Sequence, residues 1–155
     1  MIKHPEQLGF KLGLRIRICE PASITEDTRA ASEVRDVVYV ALAESDGPLE
    51  KGDALKIGQT GGTLSARWRS MARIFRRGES LRPNEREDRR RWLEAADGNE
   101  VFVWMKAAGK IEIPYAKGLT RSLFSTRGAE EEFLDQYYQP KLGRQLNRKA
   151  TEETD

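Results

Sequence analysis

The chain has 155 residues and a formal net charge of +2, enough for one core of ordinary domain size. Its longest apolar run, Val37 to Ala43, is seven residues, where a membrane span takes about 20, and a single cysteine (Cys19) and a single histidine (His4) exclude an internal disulfide and a classical zinc site. No GxGxxG or Walker A loop is present, which sets aside dinucleotide and P-loop chemistry, and residues 1–10 carry no apolar signal core, so the cytoplasm is the expected address.

Residues 9–18 (GFKLGLRIRI) alternate Phe10, Leu12, Leu14, Ile16 and Ile18 with Lys11, Arg15 and Arg17, the period of a half-buried strand. Residues 21–33 are polar and turn-rich. DVVYVAL over 36–42 then reads as a buried strand, the Ser/Asp/Gly/Pro run over 44–52 as an exposed loop, and ALKIGQ over 54–59 as the returning strand, antiparallel because the connection is short. Thr63 is a good N-cap for a helix on which Leu64, Trp68, Met71, Ala72 and Phe75 recur at helical spacing as far as Gly78. A second helix is expected from Pro83 or Asn84 to the Asp97-Gly98-Asn99 stop, burying Trp92 and Leu93. EVFVWMKA over 100–107 resumes the strand pattern. An irregular stretch with Gly109, Pro114 and Gly118 follows, then a helix from about Gly128 to Tyr138. This order predicts an α/β (α+β) domain: a small, mainly antiparallel three-stranded sheet flanked by helices, with an added N-terminal strand. The expected division is an N-terminal strand or arm over 1–35, a main domain over 36–148 with an Arg-rich helical insertion over 69–97, and a frayed tail over 149–155.

Charge is distributed unevenly. From Cys19 to Leu55 there are nine acids against three bases, a net of −6, whereas from Ser65 to Arg91 ten arginines face four acids, a net of +6. A cationic surface made of Arg suits bidentate phosphate contacts, so a polyanion is the expected partner. On a helical wheel Arg69, Arg73, Arg76 and Arg77 fall on the solvated face. Arg67 falls between Met71 and Ile74 at the margin of the buried stripe. On the C-terminal helix Glu131 lies at the edge of the apolar arc formed by Phe133, Leu134, Tyr137 and Tyr138, and Glu130 lies nearer its middle; the wheel leaves the choice between them open. His4 and Cys19 offer no triad base and no clear nucleophile.

These residues stand in a recognisable order: Val37-Val38-Tyr39, then Lys56-Ile57-Gly58-Gln59-Thr60, then Leu64-x-x-Arg67-Trp68, then Glu131-x-x-Leu134 with Tyr138-x-Pro140. The pattern resembles the GIY-YIG nuclease superfamily over residues 36–147. The resemblance implies a three-stranded antiparallel sheet with flanking helices and hydrolysis of nucleic-acid phosphodiesters with one Mg²⁺ or Mn²⁺ ion per site. By the same resemblance Tyr39 is the first-motif tyrosine, Gly58 the glycine that admits a close backbone, Arg67 the family arginine and Glu131 the metal ligand. Val37 replaces the first-motif glycine, Lys56 the second-motif tyrosine, and Met71 the His or Tyr one turn after the arginine; Asn147 is the candidate for the late asparagine. The expected catalytic set is therefore Tyr39, Lys56, Arg67 and Glu131, with Tyr39 or Lys56 assisting water activation. Arg69, Arg73, Arg76 and Arg77 are expected to grip nucleic acid. DNA is the expected partner, with RNA open, no membrane, and a homodimer as one route to a double-strand cut. Two alternatives are a nuclease fold retained as a nucleic-acid-binding module after decay of activity at Lys56 and Met71, and a protein-interaction subunit.

Overall fold

Alternation of apolar and charged residues builds the first strand, β1 (Lys11–Arg17), with Leu14 and Ile16 buried and Arg17 exposed. The computed structural model describes residues 2–18, 22–44, 47–75, 81–97, 100–116 and 119–143, with the backbone alone over 110–125. β2 (Ser23–Asp27) pairs antiparallel with β1. Then α1 (Arg29–Glu33) starts at Thr28, whose hydroxyl accepts from the Ala31 N–H. In β3 (Arg35–Leu42) the six residues from Val37 to Leu42 are all buried, as a strand covered on both faces requires. β4 (Lys56–Thr63) pairs with it and passes directly into α2 (Leu64–Met71), which Thr63 caps through the Ala66 N–H.

α2 ends at Met71 and continues as a 3-10 turn over Ala72–Phe75. α3 (Pro83–Ala96) opens on a proline, which suits a first helical position because no partner for its N–H is needed there. β5 (Glu100–Ala107) returns to the sheet, and α4 (Arg127–Tyr138) closes the described chain. The main sheet has five strands in the order β2-β1-β5-β3-β4, all antiparallel.

Three of these strands, β5-β3-β4, are the expected sheet, and β1 is the expected addition. Two features differ from the sequence reading. The polar stretch after residue 21 contains β2 and α1, and the stretch read as irregular contains a separate hairpin, β6 (Lys110–Ala116) with β7 (Leu119–Ser125). Pro114, taken as a breaker, pairs with Thr120 in this ribbon. A two-stranded ribbon has an unpaired outer edge on each strand, and there a missing N–H does no harm.

The sheet has two covered faces. On one, Leu14, Ile16, Val37, Tyr39, Ala41, Val103 and Met105 pack with Ala31, Leu64, Trp68, Trp92 and Ala96 from α1, α2 and α3. On the other, Phe10, Val38, Val40, Leu42, Ile57 and Trp104 pack with Ile2 and with Leu134 and Tyr138 of α4. No described helix is long and apolar enough to cross a membrane.

Candidate active site

Tyr39 lies at the centre of β3, flanked by β4 and β5, and is fully buried (0% exposed). Its ring meets Trp68 of α2 edge-on at 5.7 Å between centroids, and Trp68 meets Trp92 of α3 in the same manner at 5.6 Å. Each such pair contributes about 0.5–1.5 kcal/mol beyond the area it buries. The chain of three rings therefore fixes α2 and α3 over the sheet, and with them the side chains they carry. Gly58 faces Tyr39 in register on β4. A Cβ at this position would overlap Cζ and Oη of the tyrosine, so the space that glycine leaves is filled by the ring itself.

A second anchor for α2 is polar. Ser65 is buried in its first turn, with Oγ 2.8 Å from the Ala31 carbonyl oxygen and 3.0 Å from both carboxylate oxygens of Asp27. Asp27 also accepts from Ser32 at 3.0 Å and Arg69 at 3.3 Å, so one carboxylate ties β2, α1 and α2 together.

Charges from two helices reach the Tyr39 hydroxyl. Burial is the largest influence and pushes the phenol above its ordinary pKa of 10.0; the Arg67 guanidinium opposes this through its charge and a hydrogen bond, and the Glu131 carboxylate adds a smaller rise. The hydroxyl donates to Met71 Sδ at 3.8 Å. Burial prevails, so the phenol is neutral at ordinary pH. The thioether at the position where the resemblance expected His or Tyr thus still gives Tyr39 a partner. α2 and α4 cover opposite faces, yet both also lie against the edge strand β4. Arg67 and Glu131 come within range of one hydroxyl beside Gly58 of that strand.

Beside Arg67 a cavity of about 230 Å³ is lined by Lys56, Arg67, Trp68, Met71, Asp88 and Trp92, among others. Lys56 Nζ stands 5.9 Å from the Trp92 ring centroid, a cation over an electron-rich face. Arg67 is exposed and Lys56 half-buried, so both are open to a ligand while their positions are set by the core beneath.

Glu130, in the first turn of α4, and Glu131, which opens the second, separate. Glu130 lines a different groove, of about 360 Å³, with Leu8, Phe10, Val38, Lys106 and Phe133, and its Oε2 is buried without a hydrogen-bond partner among the described residues. Glu131 is the one whose charge is felt at Tyr39. Among the described residues no group of three His, Cys, Asp or Glu gathers to hold a metal. What remains is the half-buried Glu131 carboxylate, whose charge acts on Tyr39, and a single carboxylate suits Mg²⁺, which keeps most of its waters and binds through one or two carboxylates plus substrate phosphate.

Of the arginines expected to grip nucleic acid, Arg69 pairs with Asp27 at 3.3 Å and Arg73 with Glu85 at 2.6 Å, both with largely exposed guanidinium groups. Arg76, Arg77 and Asn147 lie outside the described residues. Sequence reasoning missed the Asp27–Ser65 anchor and the ion pair of Arg127 with Asp36 at 3.3 Å. No local pattern marks either, because the partners come from separate elements.

Two of the four tyrosines give a pH prediction. Burial raises the pKa of Tyr39, and burial together with the charge of Tyr137 raises that of Tyr138. The folded chain therefore holds these protons more tightly than the unfolded chain. The resulting stability is complete below the ordinary pKa of 10.0 and is lost as pH rises above it. Phenolate absorbance is expected to show two late-titrating tyrosines that ionise together with loss of the folded circular dichroism signal; early ionisation of either, with the fold retained, would contradict their burial.

No family model matches the chain, and no curated protein matches its sequence. Among solved structures it is similar to a mutant of bacteriophage T4 EndoII, with a TM-score of 0.57 and 15% identity over 90% of this chain and 95% of that one. It is also similar to the restriction endonuclease HPY188I in complex with product DNA, with a TM-score of 0.50 and 16% identity over 86% of this chain and 76% of that one. At such identities the likeness is one of fold, and the fold of this chain is one that nucleases use.

Proposed function

We propose that the chain is a GIY-YIG-type endonuclease that hydrolyses DNA phosphodiester bonds. The observation that carries this reading is the pair Lys56 and Arg67 lining one cavity, with Arg67 at the Tyr39 hydroxyl and the Glu131 charge acting on the same group, in a fold shared with a restriction endonuclease in complex with product DNA.

In the proposed mechanism the scissile phosphate sits at the mouth of the cavity between Arg67 and Lys56. Arg67 donates to the non-bridging oxygens and offsets the charge that grows on them as water attacks in line. The water gives its proton to solvent and displaces the departing oxygen as that oxygen's bond to phosphorus breaks. Tyr39 is buried, so its part is to keep the Arg67 guanidinium oriented. Lys56, two residues before Gly58 on β4, adds positive charge from the side of Trp92 and orients the phosphate. Glu131 would hold Mg²⁺ or Mn²⁺, which when bound stabilises the departing oxygen. The test is incubation of the purified chain with plasmid, single-stranded DNA and RNA in Mg²⁺, Mn²⁺ or EDTA. Cleavage of DNA that EDTA abolishes is the expected result. Salt-sensitive DNA binding without cleavage under any metal would instead assign the chain to binding alone.

Arg69 and Arg73 are assigned to grip. Their side chains are 62% and 71% exposed, so each guanidinium can reach a phosphate from the solvent side of its pair. Replacing both by Ala is expected to flatten the slope of log affinity against log salt by nearly two units if both contact phosphate, with the cleavage rate at saturating DNA almost unchanged. An unaltered slope would make these pairs purely intramolecular.

A further inference from the structure

α4 reaches the site from an unexpected direction. Its apolar anchors, Leu134 and Tyr138, pack with Val38 and Val40 on the face opposite Tyr39, so burial alone does not bring Glu131 toward the tyrosine. Thr126, at the start of α4, gives the helix no side-chain cap; its hydroxyl donates instead to the Gly109 carbonyl oxygen at 3.1 Å.

What ties the first turn down is Arg127. Its Nε lies 3.3 Å from Asp36 Oδ1, with the two side chains only 28% and 20% exposed, and its Nη1 donates to Gln59 Oε1 at 3.0 Å. Asp36 stands three residues before Tyr39 on β3, and Gln59 directly follows Gly58 on β4. The Asp36 backbone is itself fixed, in the left-handed region at φ 56° with its carbonyl accepting from the Ala108 N–H at 2.7 Å. At Gly61 a Cβ would come within 3.4 Å of both terminal guanidinium nitrogens, so the bare glycine backbone leaves them room against β4.

We infer that Arg127 is a positioning residue which, by bridging Asp36 and Gln59, fixes where α4 leaves the sheet and holds Glu131, one turn further along the same stripe of the helix, toward Tyr39. The inference rests on the reading of Glu131 as metal ligand given above. A planar fork with two partners on two strands sets a direction that a lysine ammonium, a point charge on a flexible stem, does not.

The test compares the 155-residue chain with Arg127→Lys, Gln59→Ala and the double variant. Arg127→Lys keeps the charge opposite Asp36 and so spares the fold. It is expected to lower kcat about ten-fold, the lower end of what outer-shell groups of metal sites contribute, with KM for DNA unchanged. Titration of Mn²⁺ alone into the DNA-free chain is expected to show a comparable rise in dissociation constant. Gln59→Ala on top of Arg127→Lys should add little, because both remove the same bond. Unchanged Mn²⁺ affinity in Arg127→Lys overturns the inference, and so does a salt slope of DNA binding that falls by about 0.9 with kcat intact, which would make Arg127 a phosphate contact. A wild-type chain that binds Mn²⁺ but cuts no DNA removes the proposed activity and leaves the Mn²⁺ comparison to decide the role of Arg127. A wild-type chain that does neither overturns both.

Discussion

Glu131→Gln and Arg67→Ala are each expected to reduce metal-dependent DNA cleavage by a factor of about 10² to 10³ or more, the cost of removing one preorganised charge from a transition state. Neither side chain belongs to the buried core, Arg67 being exposed and Glu131 half-buried, so the unfolding midpoint should stay near that of the wild type. Binding should separate the two. Arg67→Ala removes the cation that the proposed site sets against phosphate and should weaken DNA affinity. Glu131→Gln removes an anion and leaves affinity equal or tighter. The Tyr39 phenol offers a reading independent of turnover. Arg67 lowers its pKa and Glu131 raises it, so the first substitution should delay its ionisation and the second advance it. Purified variants that both cut at the wild-type rate would move the active site elsewhere.

How much of this was readable in the sequence depends on whether each signal was local. β3 announced itself by its seven-residue apolar run, α2 by the Thr63 cap and the spacing of Leu64, Trp68 and Met71, and α3 by Pro83. Arg67 was legible at the margin of a buried stripe because a helical wheel ranks positions by angle. The choice between Glu130 and Glu131 was not, since the angle does not say which face of the sheet the helix will cover. Once α4 packs on the face of Val38 and Val40, Glu130 turns into the groove with Phe10 and Lys106, and Glu131 is the one left toward Tyr39. The β6–β7 ribbon was hidden for a different reason. Pro114 and Gly109 are breakers in a central strand but tolerable in a two-stranded ribbon, and the sequence does not state how many neighbours a strand will have. Tyr39 was picked out by its place in a motif, whereas its complete burial depends on Trp68 arriving from another element.

Gly58→Ala is the substitution expected to do most damage for its size. The Tyr39–Gly58 pair is directly opposed across β3 and β4, and the added Cβ would fall on Cζ and Oη of the ring. That ring cannot swing aside, because it is fully buried and held by Trp68, which is itself held by Trp92. The overlap must therefore be relieved by moving β4 or by forcing Tyr39 off its rotamer, at about 1–3 kcal/mol. Either movement shifts the hydroxyl that orients Arg67, so cleavage should fall along with stability. Tyr39→Phe separates the two effects: it keeps the ring packed and loses only the hydroxyl, so it should lower activity with a smaller change in stability. It does not rescue Gly58→Ala, since Cζ remains in the way. Tyr39→Leu shortens the side chain and does make room. Alone it should destabilise by a large-to-small core loss, but combined with Gly58→Ala the two penalties should add to less than their sum, with a coupling of about 0.5–3 kcal/mol. Denaturant unfolding of the two singles and the double measures that coupling. Strict additivity, or a Gly58→Ala chain as stable as the wild type, would show that β4 gives way at this point without effort and that Gly58 is not what seats the tyrosine.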